Sequence, residues 1–143
     1  MESKPIIIEK VFDAPVSLVW KAISSRDEME KWYFKLADFK PEKGFKFDFK
    51  GGKDGREYTH LCEVTEVIPE KKLTYSWKYD GYDGISYVTF ELTNKEDKTF
   101  LKFTHEGLES FAHLNPDFAK SNFEGGWDHF INNALPKYIE SNK

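Results

Sequence analysis

The sequence is poor in cysteine. Cys62 is the one cysteine among 143 residues, so no disulfide can form within the chain, and we expect its thiol to be an inert part of the core. This scarcity is typical of a reducing compartment. The N-terminal residues show no apolar segment of signal-peptide length, and the run Ile6-Ile7-Ile8 is too short to cross a membrane. We therefore expect a cytoplasmic protein that has no membrane partner.

Positive charge is not concentrated anywhere in the chain. The 21 Lys and Arg residues are outnumbered by 25 Asp and Glu residues, which gives a formal net charge of −4. A nucleic-acid-binding protein usually carries a basic stripe or an Arg-rich segment, and neither occurs here. We exclude nucleic acid as an expected partner.

Motifs for metal binding and for covalent catalysis are also missing. His60, His105, His113 and His129 form no pair with the spacing of metal ligands on a helix and no cluster with cysteine. Residues 51–55 are rich in glycine, but they lack the ending of a phosphate-binding loop and are predicted to form a hairpin turn. No Gly-x-Ser-x-Gly elbow occurs. We expect no metal and no other cofactor.

Aromatic residues, by contrast, are abundant. The chain has 4 Trp, 7 Tyr and 13 Phe, which together make 17% of its residues. Large apolar residues fill alternate positions in the segments 45–49, 73–79 and 88–92, and mostly polar residues stand between them. This alternation predicts an antiparallel sheet with one wet face and one buried, strongly aromatic face. Such a face needs a large partner and tends to leave an irregular space.

The order of the elements predicts how that face is covered. A first strand is predicted from Ile6 to Phe12, and two short helices follow it, the second with a capping box made by Ser25 and Glu28. Five more strands joined by turns make a meander, predicted at 44–50, 56–68, 73–79, 85–93 and 99–105. No linker or repeat interrupts the chain, so residues 1–143 are predicted to form one domain of the α+β class.

The C-terminal region is predicted to be a long amphipathic helix. Apolar residues recur at helical spacing from Phe123 to Ile139 and cover about half of the circumference, which indicates a helix held in a concave surface. Asn115 and Pro116 are a suitable cap and first turn where the chain becomes helical again before this stripe, and Pro136 is expected to bend the final turns.

Several motifs, taken in order, resemble a known family. They are the segment 13–20 (Asp-Ala-Pro-Val-Ser-Leu-Val-Trp), Trp32, the segment 63–69 (Glu-Val-Thr-Glu-Val-Ile-Pro) with Leu73 and Trp77 after it, and Gly126-Trp127. The pattern resembles the activator of heat-shock protein 90 ATPase homologue family, also described as polyketide cyclase-like. That family belongs to the START-like, Bet v 1-like superfamily.

The resemblance extends over about residues 6–139 and implies a helix-grip fold. In this fold a curved antiparallel sheet wraps around the last helix, with two short helices after the first strand and a cavity between sheet and last helix. The resemblance implies no shared catalytic residues, because the family includes ligand carriers, a co-chaperone domain and cyclase-like proteins.

Strand register places several polar side chains on the inner face. His105 shares the register of Phe103, and His60 lies on the inner face of its own strand. Each is interpreted either as a hydrogen-bonded core histidine or as a polar anchor or general base in a pocket. Tyr75 and Tyr79 are interpreted either as core residues with bonded hydroxyls or as a ligand clamp.

We predict that the protein binds a small, largely apolar ligand, aromatic ligands included, in a cavity between the sheet and the C-terminal helix, without catalysis. Two alternatives stay open: an enzyme of cyclase or aldolase type that uses an inward histidine or tyrosine, and a stress-response module that contacts a chaperone. A fully packed core without a cavity is the opposing expectation. The residues predicted to line the site are Phe47, Tyr75, Trp77, Phe90, Phe103, His105, Phe123, Trp127 and Phe130.

Overall fold

The computed structural model describes residues 5–33, 38–53, 56–111 and 120–142. Its strands are β1 Ile6–Phe12, β2 Lys46–Lys53, β3 Arg56–Ile68, β4 Lys72–Tyr79, β5 Ser86–Lys95 and β6 Lys98–Glu106. Its helices are α1 Val16–Ser24, α2 Arg26–Trp32, a one-turn 3₁₀ helix Leu108–Phe111, α3 Lys120–His129, a π-helical turn Phe130–Ala134 and α4 Leu135–Ser141. The last three segments follow one another directly and are called the C-terminal helix below. The predicted cap at Asn115 and Pro116 lies outside the described residues.

The strands form one antiparallel sheet in the order β1-β6-β5-β4-β3-β2. Strands β2 to β6 are neighbours in sequence order, as a meander requires, and β1 pairs with the last strand. The inner side chains of β4, at alternate positions from Leu73 to Tyr79, are all buried. Together with the two short helices after β1 and the C-terminal helix on the aromatic face, this confirms the predicted α+β helix-grip fold.

Two hairpins differ from the predicted boundaries. Strand β2 continues through Gly51 and Gly52 to Lys53, which pairs with Arg56, so residues 51–53 belong to the strand and not to the predicted turn; residues 54–55 lie outside the described part of the chain. Strand β5 continues to Lys95 and pairs with Lys98, which leaves a turn of two residues. That turn is short because Glu96 and Asp97 both adopt positive φ angles, of 48° and 68°, whose twist matches the flanking strands.

The two short helices lie against one end of the core. Val19 and Ile23 of α1 are buried, as are Met29 and Trp32 of α2, and the Trp32 indole donates a hydrogen bond of 2.8 Å to the Ala22 carbonyl. The predicted capping box is wrong, because the Ser25 side chain makes no capping hydrogen bond. Ser25 ends α1 and starts α2 at the same time, and its backbone N–H bonds to the last turn of α1.

The C-terminal helix widens in its middle. In the π-helical turn the N–H of Leu135 donates to the carbonyl of Phe130, five residues earlier. Pro136 comes directly after Leu135. It has no N–H to donate, and in a regular α-helix its ring would clash with the carbonyl group four residues earlier. The irregularity expected at Pro136 therefore lies in the turn that precedes it. The buried residues Trp127, Ile131, Leu135 and Ile139 are spaced by four. In a regular helix that spacing would drift around the axis, and the wider turn offsets the drift.

The 3₁₀ helix after β6 is fastened to the β4–β5 turn. The Ser110 hydroxyl lies 2.9 Å from both the N–H and the carbonyl oxygen of Ile85. Phe111 is buried against Gly84, where φ is +108° and an added Cβ would come within 2.7 Å of the Phe111 ring. Only glycine fits this position, which explains part of the glycine content of the turn.

Candidate ligand-binding site

Trp127 lies at the centre of the interface between helix and sheet. Its side chain is 3% exposed, so the predicted inward orientation is confirmed. The ring centroid of Trp127 lies 4.3 Å from Phe103, 5.6 Å from Trp77 and 6.4 Å from Phe90. Rings at these separations are in contact. The interface directly beneath Trp127 is therefore a packed aromatic core.

A chain of hydrogen bonds runs from Trp127 into the sheet. The indole N–H of Trp127 donates to Nδ1 of His105 at 2.9 Å. The Nε2 atom of His105 lies 2.8 Å from the Ser86 hydroxyl, and that hydroxyl donates to the Trp77 carbonyl at 3.2 Å. Since Nδ1 accepts and Ser86 donates onward, the proton of the neutral ring belongs on Nε2, where Ser86 accepts it. The chain ties α3 to β6, β5 and β4.

His105 is held in its neutral form. Burial lowers its pKa to about 3, and its side chain is fully buried. Both ring nitrogens are engaged in the chain described above, whereas a general base needs a lone pair directed at its substrate. Of the two interpretations of His105, the geometry favours the hydrogen-bonded core histidine.

Two tyrosine hydroxyls meet inside the aromatic face. The hydroxyl oxygens of Tyr33 and Tyr75 lie 2.8 Å apart and share one hydrogen bond. Tyr75 is fully buried, and its pKa is raised by burial. The pKa of Tyr33 is raised far above its ordinary value, by burial first and by the neighbouring Tyr75 second. Both hydroxyls therefore stay protonated and serve as neutral hydrogen-bonding groups.

The ring of Tyr33 is inserted between α2, the C-terminal helix and the sheet. It stacks on Trp127 at 5.8 Å and on Trp32 at 5.1 Å, and it meets Phe130 edge-on at 5.0 Å and Phe49 at 6.1 Å. Despite these neighbours, Tyr33 as a whole residue is only partly buried. Tyr33 is not among the site residues predicted from the sequence.

A second aromatic group lies around His60. This ring stacks on Phe49 at 4.4 Å, lies 4.8 Å from Tyr79, and has Nδ1 3.1 Å from the Tyr58 carbonyl oxygen. The Tyr79 hydroxyl accepts the indole N–H of Trp77 at 2.8 Å. Burial lowers the pKa of His60 to about 4 and raises that of Tyr79. His60 is thus a second neutral core histidine.

The nine predicted site residues form a connected network of aromatic contacts and do not surround a single point. Phe47 contacts Tyr75 at 5.2 Å, whereas Phe123 contacts His105 at 5.5 Å, so these two belong to different parts of the cluster. All nine are buried except Phe123 and Phe130, which are half-buried on the C-terminal helix. Ligand contact by any of the nine stays a prediction. Of the four histidines, His129 is exposed, and His113 lies outside the described residues.

Two clefts lie on other surfaces, each of about 390 Å³. One opens between α2 and the C-terminal helix and is lined by Lys31, His129, Asn133, Ala134, Lys137, Tyr138 and Ser141. Ala134 therefore faces α2, although its helical spacing suggested the sheet. The other lies on β2 to β4 and is lined by Lys46, Phe47, Asp48, Leu61, Cys62, Glu63, Ser76 and Lys78.

Metal ligands do not converge in the described ranges, where no group of three His, Cys, Asp or Glu residues could hold an ion. The thiol of Cys62 is buried, which raises its pKa and keeps it protonated. In the same ranges no helix is long and apolar enough to cross a membrane.

The antiparallel sheet, with a long helix on its aromatic face and two short helices at its end, defines a protein of the helix-grip class. The chain belongs to the family of Activator of Hsp90 ATPase homolog 1-like proteins, whose model matches residues 13–140. The resemblance found in the sequence is thereby confirmed. A search of curated proteins found no match.

Solved structures agree with this assignment. Protein MLL2253 from Mesorhizobium loti is 27% identical, has a TM-score of 0.79, and is matched over 98% of this chain and 99% of its own. Protein BH1534 from Bacillus halodurans is 26% identical with a TM-score of 0.74, over 96% and 98% of the two chains. DynU16, a protein of the dynemicin biosynthetic locus, is 22% identical with a TM-score of 0.78; the match covers 99% of this chain and 49% of DynU16, and it shows a shared fold alone.

Proposed function

We propose that the protein binds a small, largely apolar ligand, aromatic ligands included, between the sheet and the C-terminal helix, and does not transform it. The observation that carries this proposal is that Phe123 and Phe130, on the C-terminal helix, are only partly buried although they adjoin a fully buried aromatic floor. Small-molecule sites combine apolar walls with a few directed polar groups. The hydroxyl of Tyr75, which lies in that floor, is such a group.

The packing around the histidines supports binding over catalysis. A cyclase or aldolase needs a group that exchanges a proton near neutral pH. His105 and His60 are buried, with pKa values lowered to about 3 and about 4, and Tyr75 has a raised pKa. None of these three groups is suited to that exchange, whereas an uncharged, hydrogen-bonded wall is suited to holding a ligand. A chaperone contact, a cytoplasmic location and a single domain over residues 1–143 stay predictions.

The proposal can be tested by a thermal-shift screen of the full chain against small aromatic and polycyclic compounds. A compound that binds only the folded state adds about 2.7 kcal/mol of stability at a hundred times its Kd. Titration of a hit into Phe130→Ala should then show a loss of affinity of about tenfold or more, because a wall ring is removed. Tyr87→Ala is the matched control, since Tyr87 is 37% exposed on the outer face of β5 and should leave affinity unchanged.

Two outcomes would contradict the proposal. One is that no compound in a broad apolar library raises the unfolding temperature of the parent protein. The other is that hits bind Phe130→Ala and Tyr87→Ala equally well, which would place them outside the interface between helix and sheet.

A further inference from the structure

The Tyr33 ring has the surroundings of a bound aromatic molecule. Trp32 and Trp127 stack on it with interplanar angles of 29° and 22°, and Phe130 closes one side edge-on. The hydroxyl at the far end of the ring is bonded to Tyr75 in the buried floor. Aromatic walls and one directed hydrogen bond at the end of a planar ring are the features expected of a phenol-binding site.

The position of Tyr33 in the chain allows its ring to leave. Tyr33 follows the seven-residue helix α2 and has already left helical geometry, with φ −126° and ψ −139°. As a whole residue Tyr33 is only partly buried, although its hydroxyl lies in the interior beside Tyr75. A rotation about the side-chain bonds at the end of so short a helix displaces the ring without unwinding a strand.

The buried hydroxyl of Tyr75 limits what can take the vacated place. Tyr33 is the hydrogen-bond partner that the described part of the chain gives to Tyr75. A buried hydroxyl that loses its partner is destabilising, so a purely apolar replacement is disfavoured. A ligand ring with a hydroxyl or carbonyl at its inner end restores the bond.

We infer that Tyr33 occupies the ligand position in the free protein and that the site takes a planar aromatic ring with a hydroxyl or carbonyl group, which displaces Tyr33 and bonds to Tyr75. The inference rests on the proposed function and adds the chemical class of the ligand. It also means that Tyr33 competes with the ligand, so that the free protein binds more weakly than its site allows.

The sign of one mutational effect separates this inference from the alternative in which Tyr33 is part of the wall. The probes are 4-ethylphenol and ethylbenzene, which differ by one hydroxyl, and their Kd values are measured by isothermal titration and ligand-observed NMR. If Tyr33 competes, Tyr33→Ala binds 4-ethylphenol about tenfold more tightly than the parent protein. If Tyr33 is a wall, the same variant binds it more weakly, as Phe130→Ala should in either case.

Two further variants extend the test, and the first of them does not depend on the folding of Tyr33→Ala. Tyr33→Phe keeps the ring but loses its bond to Tyr75, so the ring competes less well; this variant should bind both probes more tightly than the parent protein by a similar factor and keep the preference for 4-ethylphenol. Tyr75→Phe in the Tyr33→Ala background should lower the affinity for 4-ethylphenol by about tenfold and should not weaken the binding of ethylbenzene, so that the preference for the phenol is lost.

Weaker binding to both Tyr33 variants, equal binding of the two probes to Tyr33→Ala, or binding of neither probe to any variant would overturn the inference. None of these results overturns the proposed function if the parent protein still binds library compounds in a way that Phe130→Ala weakens. A parent protein that binds no library compound, with Tyr33→Ala binding 4-ethylphenol selectively, would reject the proposed function and leave the phenol-shaped site in place.

Discussion

The hydroxyls of Tyr33 and Tyr75 depend on each other because the face around them is apolar. Phe47 and Phe49 are the nearest ring neighbours on β2, and neither offers a hydrogen bond. Deleting one hydroxyl therefore removes a hydrogen bond and also leaves the other oxygen with one partner fewer. Deleting both hydroxyls leaves no buried oxygen that needs a hydrogen-bond partner.

This dependence predicts a measurable coupling. Tyr33→Phe and Tyr75→Phe should each lower the free energy of unfolding by about 1–2 kcal/mol. The double variant should lose clearly less than the sum of the two. Urea unfolding of the four proteins at one pH gives the coupling energy, and Tyr87→Phe on the outer face serves as the control with little change. Effects that add within about 0.3 kcal/mol would contradict the shared hydrogen bond.

The C-terminal helix contains one residue more than its buried stripe requires. From Trp127 to Ile139 the buried side chains span twelve residue steps. At about 100° per residue a regular α-helix would turn the last of them roughly 120° away from the first. Removing one residue would leave a mismatch of only about 20°. The π-helical turn, which includes the exposed Asn133, therefore has the character of a one-residue insertion.

Deletion of Asn133 should consequently be tolerated once Pro136 is replaced. Without Asn133 the turn can become regular, and Leu135 and Ile139 keep their place against the sheet. We expect the double change, Asn133 deletion with Pro136→Ala, to stay within about 2 kcal/mol of the parent in the free energy of unfolding. The deletion alone should lose about 3 kcal/mol more, since Pro136 would then interrupt a continuous α-helix.

The matched control is an alanine inserted after Asn133. This insertion lengthens the spacing from Ile131 to Leu135 to five residues and turns Leu135 and Ile139 away from the sheet. It should destabilise the protein by about 3 kcal/mol or more through lost burial. Urea unfolding compares the variants, and equal stability of deletion and insertion would refute this account of the turn.

The fold as a whole encloses two neutral histidines, which makes its stability depend on pH. The pKa values of His60 and His105 are lowered to about 4 and about 3 in the folded protein, against about 6.5 when unfolded. Between these values the unfolded chain binds more protons than the folded one. Their contribution is therefore complete above pH 6.5 and is lost as the pH falls towards 4 and 3.

We expect the free energy of unfolding to fall by roughly 3 kcal/mol between pH 7 and pH 5, a range above the ordinary pKa of carboxylates. Urea midpoints at four pH values in this range measure the slope. His60→Phe, which keeps a ring against Phe49, should remove about half of it. An unchanged slope in this variant would show that His60 does not titrate with unfolding.

The sequence predicted the sheet, the short helices and the C-terminal helix because strict alternation and helical spacing are local patterns. It also predicted that His105 faces inward, since the alternation of side chains between the two faces of one strand is a local pattern too. The partners of His105 were not predicted, because Ser86 and Trp127 reach it only when β5 and α3 pack on β6. Tyr33 was missed for the same reason, although it follows Met29 by four residues and so continues the inner side of α2.

The close approach of Trp77 and Trp127 has an optical consequence. Their ring centroids lie 5.6 Å apart with an angle of 58° between the planes. Two indole transitions this near and this oblique couple as an exciton pair, which produces bands of opposite sign in the far-ultraviolet circular dichroism, where peptide signals are also read. Strand fractions fitted from peptide bands alone will therefore be in error for this protein. When the sample is heated, the loss of the paired bands will report the separation of Trp127 on the C-terminal helix from Trp77 on β4.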